Sequence, residues 1–126
     1  MPHVILEYSA NALDEPDFPR LLLSIHESLA ATGLFSLADF KGRVVRHETF
    51  AVAEGAPDRA FVALDVQILE GRDDETKGVV SRICLDLLRG AFPRTAAGRR
   101  LSLSVQVSEI HRPSYRRETS AGTAGS

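Results

Sequence analysis

A proline directly follows the first methionine, in the segment Met1-Pro2-His3-Val4-Ile5-Leu6-Glu7. Small second residues generally permit removal of the methionine, so the sequence predicts a secondary amine on Pro2 at the end of a strand. An ordinary α-amino group titrates at about pH 7.7 to 8.0, and burial or nearby cations lower that value. Pro2 is therefore a candidate general base at neutral pH. A Met-Pro start without any chemistry is the alternative that this segment leaves open.

The composition indicates one domain without a strong global charge. The 126 residues include 15 Lys and Arg and 17 Asp and Glu, so the protein has no overall positive charge to attract nucleic acid or a membrane surface. Binding of a small neutral or anionic ligand remains compatible with this composition. Cys84 is the single cysteine and cannot form an internal disulfide. The N-terminus has neither a basic region nor an apolar run typical of export, so we expect a cytoplasmic protein.

The hydrophobic pattern predicts two β-α-β units. In the first, Val4 to Leu6 form a buried strand, an acidic start at 14–17 opens a helix that Gly33 ends, and a second strand runs from Arg43 to Val52. In the second, residues 61–69 alternate as a strand, a helix follows Asp74 until Gly90 and Pro93 break it, and residues 101–108 form the clearest alternating strand. Gly55 to Asp58 form the turn at the midpoint.

These elements predict an α/β (α+β) fold, a duplicated β-α-β with a four-stranded sheet and both helices on one face. The first and last strands look too apolar for a face open to water, so we expect another copy of the chain to cover the other face, with cyclic symmetry. The domain is expected to span residues 1–111. Residues 112–126 are rich in Arg, Ser, Gly and Thr and are predicted to form a flexible tail.

Several segments resemble the 5-carboxymethyl-2-hydroxymuconate isomerases of the tautomerase superfamily. They are residues 2–7, 29–35, 43–44, 58–62, 71–72 and 108–111, in the family's order and spacing. The resemblance implies a β-α-β-β-α-β protomer assembled as a homotrimer, with an N-terminal proline in a pocket near a subunit boundary. It also implies an isomerase that needs no metal or organic cofactor and acts on a hydroxymuconate-type carboxylate during homoprotocatechuate breakdown.

The same resemblance assigns cations to the substrate carboxylates. Arg72 matches the family's arginine after the third strand, and its planar fork suits a carboxylate; a solvated arginine paired with Asp73 or Asp74 is the alternative. Lys41 stands where the family has another arginine, two residues before Arg43. Lysine keeps the charge but loses the fork, and Arg43 lies on the same side if the strand begins early enough. A basic strand edge is the alternative for both.

Other reactive side chains are expected to be structural. His3 should point away from the pocket of Pro2, because successive strand residues face opposite sides. The four histidines and Cys84 show no metal-ligand spacing, so no metal site is predicted. Cys84 lies on the apolar stripe of the second helix, which indicates a buried, unreactive thiol.

Two other functions stay open at this point. One keeps the fold and Pro2 but changes the reaction to tautomerisation of an arylpyruvate or hydrolytic dehalogenation of a small haloacid; Lys41 is the residue that leaves it open. The other is a non-catalytic oligomeric binding module, in which Pro2 has no role.

Overall fold

The computed structural model describes residues 1–122, which form one mixed sheet covered by helices on one face. The strands are β1 (His3–Ser9), β2 (Lys41–His47), β3 (Arg59–Leu69) and β4 (Arg100–Ile110). The helices are α1 (Phe18–Ala30), α2 (Asp74–Ala91) and the short α3 (Pro93–Gly98). Single 3-10 turns lie at Leu37–Asp39 and Arg112–Ser114.

The sheet has the order β2-β1-β3-β4, as expected of two joined β-α-β units. β1 pairs with β2 in parallel and β3 pairs with β4 in parallel, whereas β1 and β3 are antiparallel at the centre. Each parallel pair is connected through its own helix, and right-handed crossovers place both helices on the same face. The predicted duplicated β-α-β fold is confirmed.

The core lies between that sheet face and the two long helices. Its fully buried side chains come from alternate positions of the central strands and from the apolar stripes of α1 and α2: Val4, Leu6, Val62, Val66, Ile25, Leu29, Val80, Cys84 and Leu88. The predicted burial of Cys84 is confirmed, and desolvation raises the pKa of its thiol to about 12. A thiol of this kind stays protonated and poorly nucleophilic at neutral pH.

The helix boundaries differ from the sequence prediction, and local capping is the reason for α1. α1 begins after Asp17, whose carboxylate accepts from the main-chain N–H of Arg20 at 3.1 Å, so the earlier acidic residues precede the helix. Gly90 does not end α2, which continues to Ala91, because a glycine within a helix costs only about 1 kcal/mol. Pro93 then opens α3, a helix that the sequence pattern did not predict.

β2 begins and ends earlier than predicted. It spans Lys41–His47 rather than Arg43 to Val52, because its register is fixed by β1, in which His3 lies opposite Lys41 and Ser9 opposite His47. β1 has no residues left to pair with 48–52. That stretch instead leads through a loop to Arg59.

The open face of the sheet is more polar than the sequence argument assumed. The leucines and valines of β4 pack against the core on the helix side, and the exposed serines Ser102 and Ser104 face the other way. The premise that β4 presents an apolar open face is therefore wrong. The open face instead carries a hydrogen bond between His47 Nε2 and Glu7 Oε1 at 2.8 Å and one between Gln67 and Asp65 at 3.2 Å.

The segment after β4 turns back toward the 3-10 turn at Leu37–Asp39. Residues 112–114 form a 3-10 turn, and Arg117 donates to Asp39 Oδ1 at 3.0 Å. The domain boundary at residue 111 stays a prediction, and the end of the predicted flexible tail, 123–126, lies outside the described residues. Among residues 1–122, no helix is long and apolar enough to cross a membrane.

Candidate active site

A cavity of ≈ 170 Å³ opens at the end of the sheet where β1 begins and β3 ends. The antiparallel pairing of these strands brings the two ends together, with His3 opposite Gln67. The cavity is lined by Met1, Pro2, Leu34, Phe35, Ser36, Asp39, Leu69, Arg72 and Arg112. Two of the predicted site residues, Pro2 and Arg72, therefore lie in the same cavity.

Pro2 is held in place by the parallel ladder of β1 and β2. Its carbonyl accepts a hydrogen bond from the main-chain N–H of Lys41 at 3.1 Å, and its side chain is buried. Pro2 has no N–H to donate, so its position at the start of a strand costs no ladder bond. The residue is thereby fixed at the inner wall of the cavity.

The terminal amine next to Pro2 is already perturbed. The Met1 ammonium donates to the carbonyl of Asp39 at 3.0 Å and is partly buried. Desolvation lowers its pKa; the Asp39 carboxylate opposes this shift, while Lys41 and Arg117 add to it. An amine at this end of the chain is thus driven toward its neutral, basic form.

Arg72 is oriented by the loop after α1. Its Nη2 donates to the carbonyl of Leu34 at 2.6 Å, and its guanidinium carbon lies 4.7 Å from the centroid of the Phe35 ring. Asp73 instead caps α2 by accepting from Thr76 N at 2.9 Å. No ion pair joins Arg72 to Asp73 or Asp74 in the described chain, so the alternative of a self-paired turn arginine has no support here.

Arg112 and Asp39 also line the cavity, and sequence reasoning missed both. Arg112 was assigned to the tail, although β3 and β4 end side by side, with Leu69 opposite Ile110. That register places the residues after β4 beside the turn that carries Arg72. The sequence signal available was that Arg112, like Arg72, lies a few residues after a predicted strand.

Lys41 and Arg43 project from the other face of the sheet, although Lys41 Nζ reaches the carbonyl of the cavity residue Asp39 at 3.2 Å. A Cβ on the intervening Gly42 would meet His26 of α1, so Gly42 faces the helices and its two neighbours face the open side. Arg43 Nη1 donates to His3 Nδ1 at 3.3 Å there. β2 does begin early enough to put both cations on one side, but within a single chain they are not among the residues that line the cavity of Pro2.

His3 has the position that the strand alternation predicted, on the face opposite Pro2. Desolvation lowers the pKa of its imidazole, and Arg43 and Lys41 lower it further. As for metals, residues 1–122 contain no group of three or more His, Cys, Asp or Glu side chains that could hold an ion.

The fold defines the structural class of the protein. Two β-α-β units joined into one four-stranded sheet, with both long helices on one face, form an α+β fold. One solved neighbour, a fused 4-OT protein described as a symmetric trimer, has this fold with a TM-score of 0.66 at 14% identity, over 98% of this chain and 92% of that one.

Closer relatives identify the family. The family model for 5-carboxymethyl-2-hydroxymuconate isomerase matches residues 2–121. The 5-carboxymethyl-2-hydroxymuconate Delta-isomerase of Escherichia coli is 35% identical over 111 residues, which is 88% of each chain. The crystal structure of a 5-carboxymethyl-2-hydroxymuconate isomerase from Deinococcus radiodurans R1 has a TM-score of 0.85 and 31% identity, covering 94% of this chain and 90% of that one. The chain belongs to the 5-carboxymethyl-2-hydroxymuconate isomerase family.

Proposed function

We propose that this protein isomerises 5-carboxymethyl-2-hydroxymuconate, with Pro2 as the base once Met1 has been removed. The observation that carries the proposal is the placement of buried Pro2 and Arg72 in one cavity. The family membership supports the same substrate. The place of the reaction in homoprotocatechuate breakdown and a cytoplasmic location stay predictions.

The reaction is a proton transfer along a conjugated system. The neutral nitrogen of Pro2 takes the proton from the dienol hydroxyl, and the O–H electron pair forms the carbonyl π bond. The double bonds shift by one position, and the electron pair at the far end of the system accepts a proton at carbon. The prolinium returns the proton, so atoms and charge balance without a redox partner.

The environment of the amine suits this role. Removal of Met1 transfers the terminal amine from a partly exposed residue to the buried Pro2, where water solvates an ammonium less well. Lys41 and Arg117, which already disfavour the charged form of the Met1 amine, remain nearby. Both effects lower the pKa of a terminal amine at this position and so favour its neutral, basic form.

Arg72 supplies the charge that the transition state needs. Its guanidinium uses one Nη2 donor on the carbonyl of Leu34, and the remaining donors are available to a carboxylate. A fixed cation also stabilises the dienolate charge that develops as the hydroxyl proton leaves. We therefore propose Arg72 as a substrate-binding residue.

That Lys41 and Arg43 contact the substrate stays a prediction. An oligomer can bring either residue to the cavity of a neighbouring subunit. We propose a homotrimer in which the open sheet face packs against neighbouring subunits, as the symmetric trimer described for the fused 4-OT neighbour suggests. A cation on that face can then lie beside a neighbour's cavity. Sedimentation equilibrium tests the trimer directly, since a monomeric mass at micromolar concentration would exclude it.

The test of the activity uses variants of the two cavity residues. Pro2→Ala and Arg72→Ala are each expected to lower kcat/KM for 5-carboxymethyl-2-hydroxymuconate by about a hundredfold or more, a typical loss for a positioned base or charge donor. Arg89→Ala is the matched control, because Arg89 pairs with Asp86 at 2.9 Å on the exposed surface of α2. If both cavity variants turn over the substrate as fast as the control, the proposal is wrong.

A further inference from the structure

Five arginines of the described chain bind carboxylates, whereas Arg72 and Arg112 do not. Arg46, Arg59, Arg89, Arg100 and Arg117 each form an ion pair with a carboxylate. Over residues 1–122, no such pair involves Arg72 or Arg112, whose side chains donate to main-chain carbonyls. Both line the cavity of Pro2. The cavity thus contains two guanidinium groups whose charge is not neutralised by a bonded carboxylate.

Arg112 is fixed by the end of β3. Its main-chain N–H donates to Glu70 Oε1 at 3.2 Å, and its Nη2 donates to the Glu70 carbonyl at 3.1 Å. Glu70 N in turn donates to the carbonyl of Ile110 at 3.1 Å, which ties the two strand ends together. A guanidinium carries five N–H donors, so most of those on Arg112 remain for a ligand.

The one carboxylate that lines the cavity does not neutralise these arginines. Asp39 binds Arg117 at 3.0 Å, and this hydrogen bond, with the charge of the nearby terminal amine, lowers the pKa of the Asp39 carboxyl. Asp39 therefore stays ionised and paired with Arg117. The cavity retains the charges of Arg72 and Arg112, which match two carboxylates on one ligand.

We infer that Arg112 is a second carboxylate-binding residue and sets the preference of the site for substrates with at least two carboxylates. The inference rests on the proposed function and extends it. Arg72 holds one carboxylate and Arg112 another, and the fork of Arg112 provides the bidentate geometry that Lys41 lacks. The segment after β4, assigned to the tail by sequence, is then part of the active site.

The experiment compares a dicarboxylate with a monocarboxylate of equal chain length. Adipate and hexanoate are saturated, cannot isomerise, and can be titrated into the methionine-processed protein by calorimetry. Arg112→Ala is expected to raise the Kd of adipate by about tenfold or more, the usual effect of losing a charge-assisted hydrogen bond, and to leave that of hexanoate within twofold. The Kd of adipate for Arg112→Lys should lie between those of the parent and of Arg112→Ala, because lysine keeps the charge without the fork.

The matched control is Arg116→Ala, since exposed Arg116 contacts only the carbonyl of Ser114, at 3.5 Å, among its described hydrogen bonds. Its two Kd values should equal those of the parent. The inference is overturned if Arg112→Ala changes neither Kd, or changes both equally. A folding defect in Arg112→Ala would lower the melting temperature and abolish binding of both adipate and hexanoate. In that case Arg112→Gln is the smaller substitution, and it should again weaken adipate more than hexanoate.

Failure of this inference is distinguishable from failure of the proposed function. If the parent does not turn over 5-carboxymethyl-2-hydroxymuconate but Arg112→Ala still weakens adipate selectively, the isomerase proposal fails and the second carboxylate site stands. If turnover depends on Pro2 while adipate and hexanoate respond alike to Arg112→Ala, the isomerase stands and the role of Arg112 is wrong.

Discussion

The guanidinium of Arg72 lies over the ring of Phe35, with its central carbon 4.7 Å from the ring centroid. Phe35 itself packs edge-on against Phe40, their ring centroids 5.8 Å apart. Phe40 is in turn stacked with His26 of α1 at 4.9 Å. A continuous row of rings therefore connects the helix to the arginine that we propose as the substrate's carboxylate partner.

Phe35→Leu should weaken substrate binding more than chemistry. Leucine keeps an apolar wall but removes the cation–π contact, which contributes about 0.5 to 1 kcal/mol at a partly exposed site, so KM should rise about two- to fivefold while kcat changes less. Phe50→Leu is the control, because Phe50 packs on Phe61 away from the cavity. If steady-state kinetics give Phe35→Leu and Phe50→Leu the same KM, a positioning role for Phe35 is contradicted.

The pH dependence of activity should report the perturbed amine. Desolvation, with Lys41 and Arg117 and against Asp39, lowers the pKa of the Met1 amine. We expect the same direction for the amine of the buried Pro2, and only its neutral form can accept a proton. The acid limb of kcat/KM should therefore have its midpoint below the ordinary α-amino value of about 7.7 to 8.0, with full activity above it and loss as pH falls. A pH–rate profile whose acid limb lies above that range would contradict this account.

Gly42 is required by the close approach of α1 to β2. A Cβ at this position would lie 2.7 Å from His26 Nε2 and 3.2 Å from Leu22 Cδ2, and the His26 ring is buried. Gly42→Ala should therefore reduce the free energy of unfolding by about 1 to 3 kcal/mol, as overpacking generally does. Urea denaturation measures the change.

Gly78→Ala is the matched control for that substitution. Its Cβ would be in ordinary contact, 3.5 Å from the flexible end of Arg82, in the interior of α2. Alanine is the better helix residue, so this variant should gain about 0.5 to 1 kcal/mol. Equal stability changes in the two variants would show that packing against His26 is unimportant.

Thr95 and Asp14 join α3 to the loop before α1. The Thr95 hydroxyl accepts from Leu13 N at 2.9 Å and donates to Asp14 Oδ2 at 2.6 Å, and Thr95 is fully buried. Thr95→Val removes the acceptor of Leu13 N and the hydroxyl donor to Asp14, while the main-chain donors to Asp14 remain, and the loss costs about 1 to 3 kcal/mol. Thermal unfolding at pH 7 should show the loss.

The same pair predicts an acid dependence of stability. Desolvation raises the pKa of Asp14, but the hydrogen bonds from Thr95 and from Arg94 N outweigh it and lower the pKa overall. A carboxyl with a depressed folded-state pKa stabilises the fold above its unfolded value of about 3.9 and loses that contribution as pH falls below it. The stability difference between parent and Thr95→Val should thus narrow below about pH 4; an unchanged difference at pH 3 would be evidence against this role for Asp14.

Alternation and helical periodicity predicted the element order and fold class, because the sheet buries one face and each helix buries one stripe. Element ends depended on partners that a local pattern does not show. β2 stops at His47 because β1 stops at Ser9, and the start of α1 is decided by which of several acidic residues reaches a free N–H.

The site was only partly predictable for the same reason. Pro2 has a chemical signature of its own, and Arg72 follows a recognisable strand end. Arg112 follows a strand end as well, but its place in the cavity depends on the register that aligns Leu69 with Ile110. Composition alone made its segment look like a tail.

The central claim is that the amine of Pro2 performs the reaction, and one comparison tests it most directly. The loss of dienol absorbance of 5-carboxymethyl-2-hydroxymuconate is followed with protein whose Met1 removal is verified by intact mass, beside protein carrying a glutamate inserted before Pro2 so that its nitrogen remains an amide. The account predicts rapid loss with the first and a rate near that of buffer with the second. Equal rates with the two proteins would contradict it.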